Sequence, residues 1–329
     1  EEPRVAYDRV HLSEFFSGKS ADDLSMAPLQ WYNEKGITLH LGDAIQTIDR
    51  QTQLIYSAKG IAQSYDYLIF ATGSAPFVPS LPGVDKDGVF VYRTIEDLEA
   101  MQAYSGKAKK AAVMGGGLLG LEAAKALIDL GIDETYVVEF APRLMPRQID
   151  TNGSKLLQTK LSALGLQVLL NKNTSSVLGN GHIEGLQFAD DTVLELDMLV
   201  ISAGIRPRDE LAKACNLEVG PRGGIVVNEQ MQTSDASIFA IGECALHEGM
   251  IYGLVAPGYE MAEVAAATIC DIEKQFKGFD MSTKLKLIGV DVASFGDPFL
   301  GEPDCTSISF EDLNKGVYKR INISNDGKY

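Results

Sequence analysis

Four cysteines occur in 329 residues, Cys215, Cys244, Cys270 and Cys305, and no two are spaced C-x-x-C or C-x-x-x-x-C. The chain therefore has no redox dithiol, and no zinc site or iron–sulfur nest built from its own cysteines. The four histidines, His11, His40, His182 and His247, are scattered and form no ligand pair. No Ser–His or Cys–His constellation is in sight, so no side chain is read as a catalytic nucleophile or base, and none as a metal ligand. Positive charge is also scarce. There are 29 Lys and Arg against 45 Asp and Glu, a formal charge of −16. That balance argues against nucleic acid or an anionic membrane as a partner. No apolar run approaches the ~20 residues of a membrane span. No charged-then-apolar leader opens the chain, so the expected location is the cytoplasm.

The chain does have glycine, 32 residues of it, and an apolar fraction of 45%, enough for two or three domains. Residues 115–120 read Gly-Gly-Gly-Leu-Leu-Gly. The apolar run at 111–114 before them predicts a buried parallel strand. After them Leu118, Leu121, Ala124, Leu127 and Ile128 fall at helical spacing, and Gly131 closes the helix. Strand, glycine turn and helix together form a dinucleotide loop. Gly115 permits the tight turn, Gly117 lets the backbone approach a pyrophosphate, and Gly120 lets helix pack on strand. The helix N-terminus adds free N–H groups and a positive dipole end. A further strand at 136–138 ends at Glu139, 19 residues after Gly120. A carboxylate there accepts from a ribose 2′-hydroxyl and repels a 2′-phosphate, which favours NADH over NADPH. Arg143 and Arg147 follow closely and could soften that preference.

An internal repeat organises the rest. Residues 65–73 and 196–204 are apolar nonamers sharing Asp, Leu and Gly in register: Asp66 with Asp197, Leu68 with Leu199, Gly73 with Gly204. Each follows an antiparallel segment, 44–56 in one case and 182–196 in the other. The second copy owns the loop at Gly115. The first should own one too, and none precedes Gly73. The chain opens on Glu1-Glu2-Pro3 rather than Met and ends on Asn325-Asp326-Gly327-Lys328-Tyr329, which reads as a hairpin turn. Both ends read as cut, and the expectation is that an N-terminal strand–loop–helix is missing.

The remaining pattern predicts helices over 22–34, 94–104 (opened by Thr94-x-x-Asp97), 154–164 and 257–276. It predicts strands over 37–41, 166–170, 238–243, 285–290, 306–310 and 317–323. A proline-rich stretch at 74–83 connects two halves. The fold class is α/β, with parallel sheets carrying antiparallel insertions and the start of a C-terminal α+β domain.

Three stretches in order, Ala71-Thr72-Gly73, the glycine loop, and Ile238-Phe239-Ala240-Ile241-Gly242-Glu243, resemble the FAD- and NAD-dependent pyridine nucleotide oxidoreductases with two dinucleotide-binding domains. Residues 7–13 (Tyr-Asp-Arg-Val-His-Leu-Ser) and 204–208 (Gly-Ile-Arg-Pro-Arg) are typical of the rubredoxin and ferredoxin reductase branch. Residues 1–13, 91–98, 115–124 and 253–259 resemble more closely the flavoprotein part of the assimilatory NAD(P)H nitrite reductase large-subunit family. The resemblance implies an FAD-binding domain over 1–100 and 228–280, an NAD-binding domain over 101–227, and an unfinished domain over 281–329.

It also implies roles. Glu243, where Asp is usual, would bond the ribityl chain of FAD, and Gly242 precedes it. Glu1 or Glu2 would hold the FAD adenosine ribose, and Arg9 would neutralise the pyrophosphate. Ala71, Thr72 and Gly73 would pass backbone close to the cofactor. Arg93 and Val255 match further flavin contacts, Val255 lying just before a helix aimed at the flavin carbonyl, and Gly204 matches Gly73 on the NAD side. The branch often has Lys where this chain has Glu14, so one flavin contact is lost or replaced. Hydride would pass from NADH to flavin, and single electrons would leave for an iron–sulfur centre. That centre and sirohaem would lie in downstream domains outside this chain. Rival readings are a stand-alone reductase feeding rubredoxin or a ferredoxin, and a flavin-free NAD-binding module, with a homodimer as one assembly. With one glycine loop absent, weak FAD retention and intact NADH affinity are expected.

Overall fold

The computed structural model describes residues 1–287, 290–299 and 305–325. The chain divides into two compact units. One comprises Glu1–Leu12, Lys19–Ala75 and Ile205–Met281; the other comprises Ser13–Gly18, Pro76–Gly204 and Ser282–Tyr329.

The second unit is built on a five-stranded parallel sheet in the order Val89–Val91, Met198–Ile201, Lys110–Met114, Glu134–Val138, Leu166–Leu169. Its strands are nearly continuous apolar runs because both faces are covered. Met198, Leu199, Val200 and Ile201 are all buried, as are Ala111, Ala112 and Val113. Helices Leu118–Asp129 and Thr151–Ala163 make the crossovers. Ala112, Met114, Leu199 and Ile201 pack against Val177, Leu186 and Phe188 of a three-stranded antiparallel sheet, Thr174–Leu178, Gly185–Phe188 and Val193–Glu195, and against Ile183 between its first two strands. The pleat turns Ala111, Val113 and Val137 to the opposite face, and helix Leu118–Asp129 packs on their strands. The helix Ile95–Ser105 starts where expected. Thr94 caps it, and Thr94 and Asp97 close a full capping box.

The first unit carries the other copy of the repeat. Leu68–Phe70 pairs in parallel with Ile238–Ala240. Phe70, Phe239, Met261, Val264 and Phe276 form its core. The strand is shorter and less buried than the nonamer suggests. Ile69 is 43% exposed. Ahead of it lies an antiparallel sheet, Ile45–Asp49, Leu54–Ser57 and Ala62–Ser64. Both insertions have three strands where the sequence pattern shows two. Ala62–Ser64 and Thr174–Leu178 escape detection because neither carries clear apolar alternation. Each sheet opens on a bulge at the equivalent place, Ile45/Thr47 and Thr174/Ser176.

Four other expectations are corrected. The helix expected over 22–34 is confined to Leu29–Glu34, because Pro28 sits extended at its N-cap and cannot continue a helix through its own position. Ser20 and Asp23 instead close a turn upstream, the Ser20 amide donating to the Asp23 carboxylate at 2.8 Å. Residues 37–41 form no strand, and Ile37 and Leu39 are exposed. The helix expected over 257–276 is Val255–Ile269, so Val255 is its first residue. It ends where Asp271 turns left-handed (φ 57°) and the Ile272 amide reaches back to the Ala267 carbonyl at 2.8 Å. No glycine announces that stop. The strand expected over 285–290 is the end of one strand, Thr283–Leu287, and the start of another, Val290–Ser294. Residues 288–289 between them, and 326–329 of the terminal turn, lie outside the described residues. A second hairpin, Cys305–Asp312 with Val317–Ser324, completes the chain.

Candidate dinucleotide site

The sheet order reverses at Lys110–Met114. Its following helix leads to the strand on one side, and Met198–Ile201 lies on the other. In open α/β sheets such a switch point opens a crevice at the carboxyl ends of the strands, and the glycine loop occupies it. Gly115 takes φ +122°, and a β-carbon there would stand 2.2 Å from the Ser202 carbonyl oxygen. A β-carbon on Gly120 would stand 1.9 Å from the Gly115 carbonyl oxygen. Gly117 differs. It is the N-cap of the helix Leu118–Asp129 and offers no side chain to the first turn. It faces open space, and a β-carbon at this position would meet nothing within 4 Å. The first-turn amides are left for a ligand, which is what a pyrophosphate needs.

Glu139 closes the loop from below. It is buried. Its Oε2 accepts from the Gly116 amide at 2.5 Å and its Oε1 from the Ala141 amide at 2.7 Å. Each oxygen keeps a second lone pair. Gly116 is a residue that the motif spacing does not single out. A β-carbon there would collide with Leu144 Cδ2 at 2.7 Å and Glu139 Oε2 at 3.0 Å. The Met145 amide donates to the Gly116 carbonyl at 2.8 Å, and the Leu144 amide to Ser154 Oγ at 2.8 Å. The segment after Glu139 is thus fastened to the glycine loop. Gly204 ends the second nonamer at φ +116°, and its carbonyl accepts from the Phe77 amide at 2.8 Å. Arg93 lies in this unit too, just ahead of the Thr94 cap, its amide on Asp97 Oδ2 at 3.0 Å.

In the other unit Glu243 accepts from Ser74 Oγ at 2.7 Å. Gly242 takes φ +72° with nothing within 4 Å of a β-carbon. The helix Val255–Ile269 begins without a side-chain cap, and Val255 is 47% exposed. Ala71 is exposed, and Gly73 takes φ +64°. Thr72 donates its hydroxyl to the Arg208 carbonyl at 2.6 Å. Glu1 meets Arg208 at 2.5 Å, and Glu2 is ion-paired with Arg9 and accepts from the Tyr7 hydroxyl at 2.6 Å. Burial would raise the Glu2 carboxyl, but the Tyr7 and Arg9 bonds outweigh it and hold the group below its ordinary range. Ser74 carries no motif signal beyond its place after Gly73.

The pyridine nucleotide-disulphide oxidoreductase family model matches residues 1–268. The chain belongs to that family. It is 49% identical over 331 residues to the large subunit of the NADH nitrite reductase of Escherichia coli, covering 100% of this chain and 39% of that one. It is 41% identical to the assimilatory nitrate reductase electron transfer subunit of Bacillus subtilis, covering 99% of this chain and 42% of that one. Among solved structures, a ferredoxin reductase from Rhodopseudomonas palustris superposes with a TM-score of 0.88 at 25% identity, over 98% of this chain and 80% of that one. The chain spans about two fifths of the length of these two curated relatives.

Cys215, Cys244 and Cys305 are buried and Cys270 is exposed, with no disulfide among the described residues. No group of three metal-ligating side chains gathers among the described residues. Among them, too, no helix is long and apolar enough to cross a membrane.

Proposed function

We propose that this chain is the NADH-oxidising flavoprotein module of a nitrite reductase of the assimilatory type, taking hydride from NADH onto FAD and passing electrons singly to an iron–sulfur acceptor. The observation that carries the reading is the open, uncapped helix N-terminus at Gly117, with the Glu139 carboxylate fixed beside it. Gly117 and the first-turn amides would hold the dinucleotide pyrophosphate, and Glu139 would accept from the adenosine ribose hydroxyls. Gly115 and Gly120 hold the turn close enough for that approach.

The first unit's residues fit the riboflavin end of FAD. Gly242 leaves room for backbone approach, Glu243 offers a carboxylate for the ribityl hydroxyls, and the uncapped first-turn amides after Val255 suit a polarised ring carbonyl. Glu1, Glu2, Arg9, Ala71, Thr72 and Gly73 are assigned to the same cofactor, and Gly204 to NADH. Bound FAD supplies the conversion of a two-electron hydride into single electrons. The chain's own task is alignment and exclusion of water, with no nucleophile or general base needed. Lacking a dithiol, it would rely on an acceptor held elsewhere, an iron–sulfur and then a sirohaem domain. A stand-alone reductase for a small electron carrier is the second reading, favoured by the likeness to the ferredoxin reductase.

The test is to add NADH anaerobically to the purified protein with excess FAD left in solution. Bleaching of the flavin supports the reading. A protein that binds NADH but leaves the FAD oxidised would reduce it to a dinucleotide-binding module.

A further inference from the structure

We infer that Phe299 is a specificity-determining positioning residue: it holds the Arg143 guanidinium away from the 2′ position of the bound adenosine ribose. This rests on the reading of the glycine loop as the NADH site.

Arg143 lies four residues beyond Glu139, in the segment fastened to the glycine loop at Leu144 and Met145. Its backbone is therefore fixed beside the nucleotide loop, and only the direction of its side chain is open. An arginine in that place is the group that would receive a 2′-phosphate, because its planar fork matches a phosphate with paired, charge-assisted bonds. Here the side chain is held elsewhere. Nη2 donates to the Pro146 carbonyl at 3.1 Å, and the guanidinium lies 5.4 Å from the centroid of the Phe299 ring. Its buried Nε has no hydrogen-bond partner among the described residues. The guanidinium is thus kept in place with donor capacity unspent.

Phe299 is itself fixed by a chain of contacts that returns to the same segment. Its amide donates to Asp297 Oδ1 at 2.9 Å, and Asn322 donates to the Asp297 carbonyl at 3.4 Å. Arg320 Nε donates to Asn322 Oδ1 at 3.0 Å, and Arg320 Nη1 to Asp150 Oδ2 at 2.9 Å. Tyr318 donates its hydroxyl to that same oxygen at 2.5 Å. Asp150 caps the helix Thr151–Ala163 at the end of the segment that starts at Glu139. The C-terminal hairpin therefore reaches the far end of the dinucleotide-selecting segment at Asp150, and Phe299, tied to the hairpin through Asp297, meets Arg143 within that segment; discrimination against NADPH is shared between Glu139, which repels the phosphate, and Phe299, which withholds the arginine.

The experiment is calorimetric titration of the protein with NAD⁺ and with NADP⁺, for wild type, Phe299→Ala, Phe299→Leu, Phe299→Trp and the double variant Phe299→Ala/Arg143→Ala. Phe299→Ala should tighten NADP⁺ by about tenfold, the worth of one charge-assisted arginine–phosphate contact, and change NAD⁺ by less than about twofold. Phe299→Trp, which keeps an aromatic face, should retain the wild-type ratio, and the double variant should lose the gain. Phe299→Leu should behave as Phe299→Ala does if side-chain volume alone preserves the fold. An unchanged NADP⁺/NAD⁺ ratio in both Ala and Leu variants overturns the inference, as does a gain that survives removal of Arg143. NAD⁺ binding with no Phe299 effect leaves the NADH reading standing, whereas a wild type that binds neither dinucleotide overturns both.

Discussion

A β-carbon on Gly120 would stand 1.9 Å from the Gly115 carbonyl oxygen, so the first turn of the helix lies against the turn that precedes it. Backbone is on both sides of that contact, and neither side can rotate away. Gly120→Ala should therefore destabilise the protein by about 1–3 kcal/mol and weaken NADH binding at least tenfold. Gly117→Ala should leave the melting temperature nearly unchanged, because nothing lies within 4 Å of its β-carbon, yet also weaken NADH. Thermal melts paired with NADH titrations separate the two; equal melting losses would remove the assignment of Gly117 to the ligand face.

Glu139→Ala should weaken NADH more than NADPH, by about tenfold for NADH, since it deletes an acceptor for the ribose and a repulsion toward a 2′-phosphate. Glu139 also takes the Gly116 and Ala141 amides, so some loss for both dinucleotides is built in. Dissociation constants for the pair decide it. Equal loss for both would assign Glu139 to loop structure alone.

Thr94→Ala removes one half of the capping box on Ile95–Ser105. The expected loss is about 1 kcal/mol, a fall in melting temperature of about 2–4 °C. Thr94→Ser should recover most of it in the same thermal melt.

Asp150→Asn keeps a cap for the helix but weakens the bonds from Tyr318 and Arg320. Burial would raise the Asp150 carboxyl, yet Tyr318, the Gly153 amide and Arg320 hold it below its ordinary value. Its stabilising contribution is present above the unfolded carboxylate value of about 3.9 and fades as pH falls through the depressed folded value. Burial, followed by the Asp150 contact, pushes the Tyr318 phenol up to about 12. Its contribution is present below the unfolded value of about 10 and fades as pH rises through about 12. The difference in urea midpoint between wild type and Asp150→Asn should therefore be widest between about pH 4 and 10. A difference that does not vary with pH would argue against the pair.

Glu243→Ala should weaken FAD by about tenfold in affinity, with Ser74→Ala acting more weakly because Ser74 orients the carboxylate. Titration of each protein with FAD, followed by flavin fluorescence, measures both. An FAD affinity unaffected by Glu243→Ala would move the ribityl role to another residue.

The glycine loop, its flanking strand and helix, and Glu139 are legible in the sequence because each depends on local spacing: glycines where backbone must approach backbone, and an acid one strand later. The Thr94 cap is legible for the same reason. Helix ends are less so. Pro28 is visible in the sequence, but the apolar period running across it points the other way. Asp271 stops the helix Val255–Ile269 in a left-handed conformation that composition does not announce. Gly116, Ser74 and Phe299 act through contacts between residues distant in sequence, or through a collision only the folded loop creates. Such effects follow from tertiary packing, not from spacing.

The two antiparallel sheets share their bulge, with Gln46 and Ser175 each standing as the extra residue one step into the first strand. A bulge sets how sharply a ribbon coils away from its root. The two ribbons share that irregularity at the same step of strands of equal length. Transplanting residues 45–64 in place of 174–195 should preserve strand register, so that the limit on such a chimera is the apolar lining each ribbon presents, led by Val177 and Leu186 in the second, rather than its backbone path.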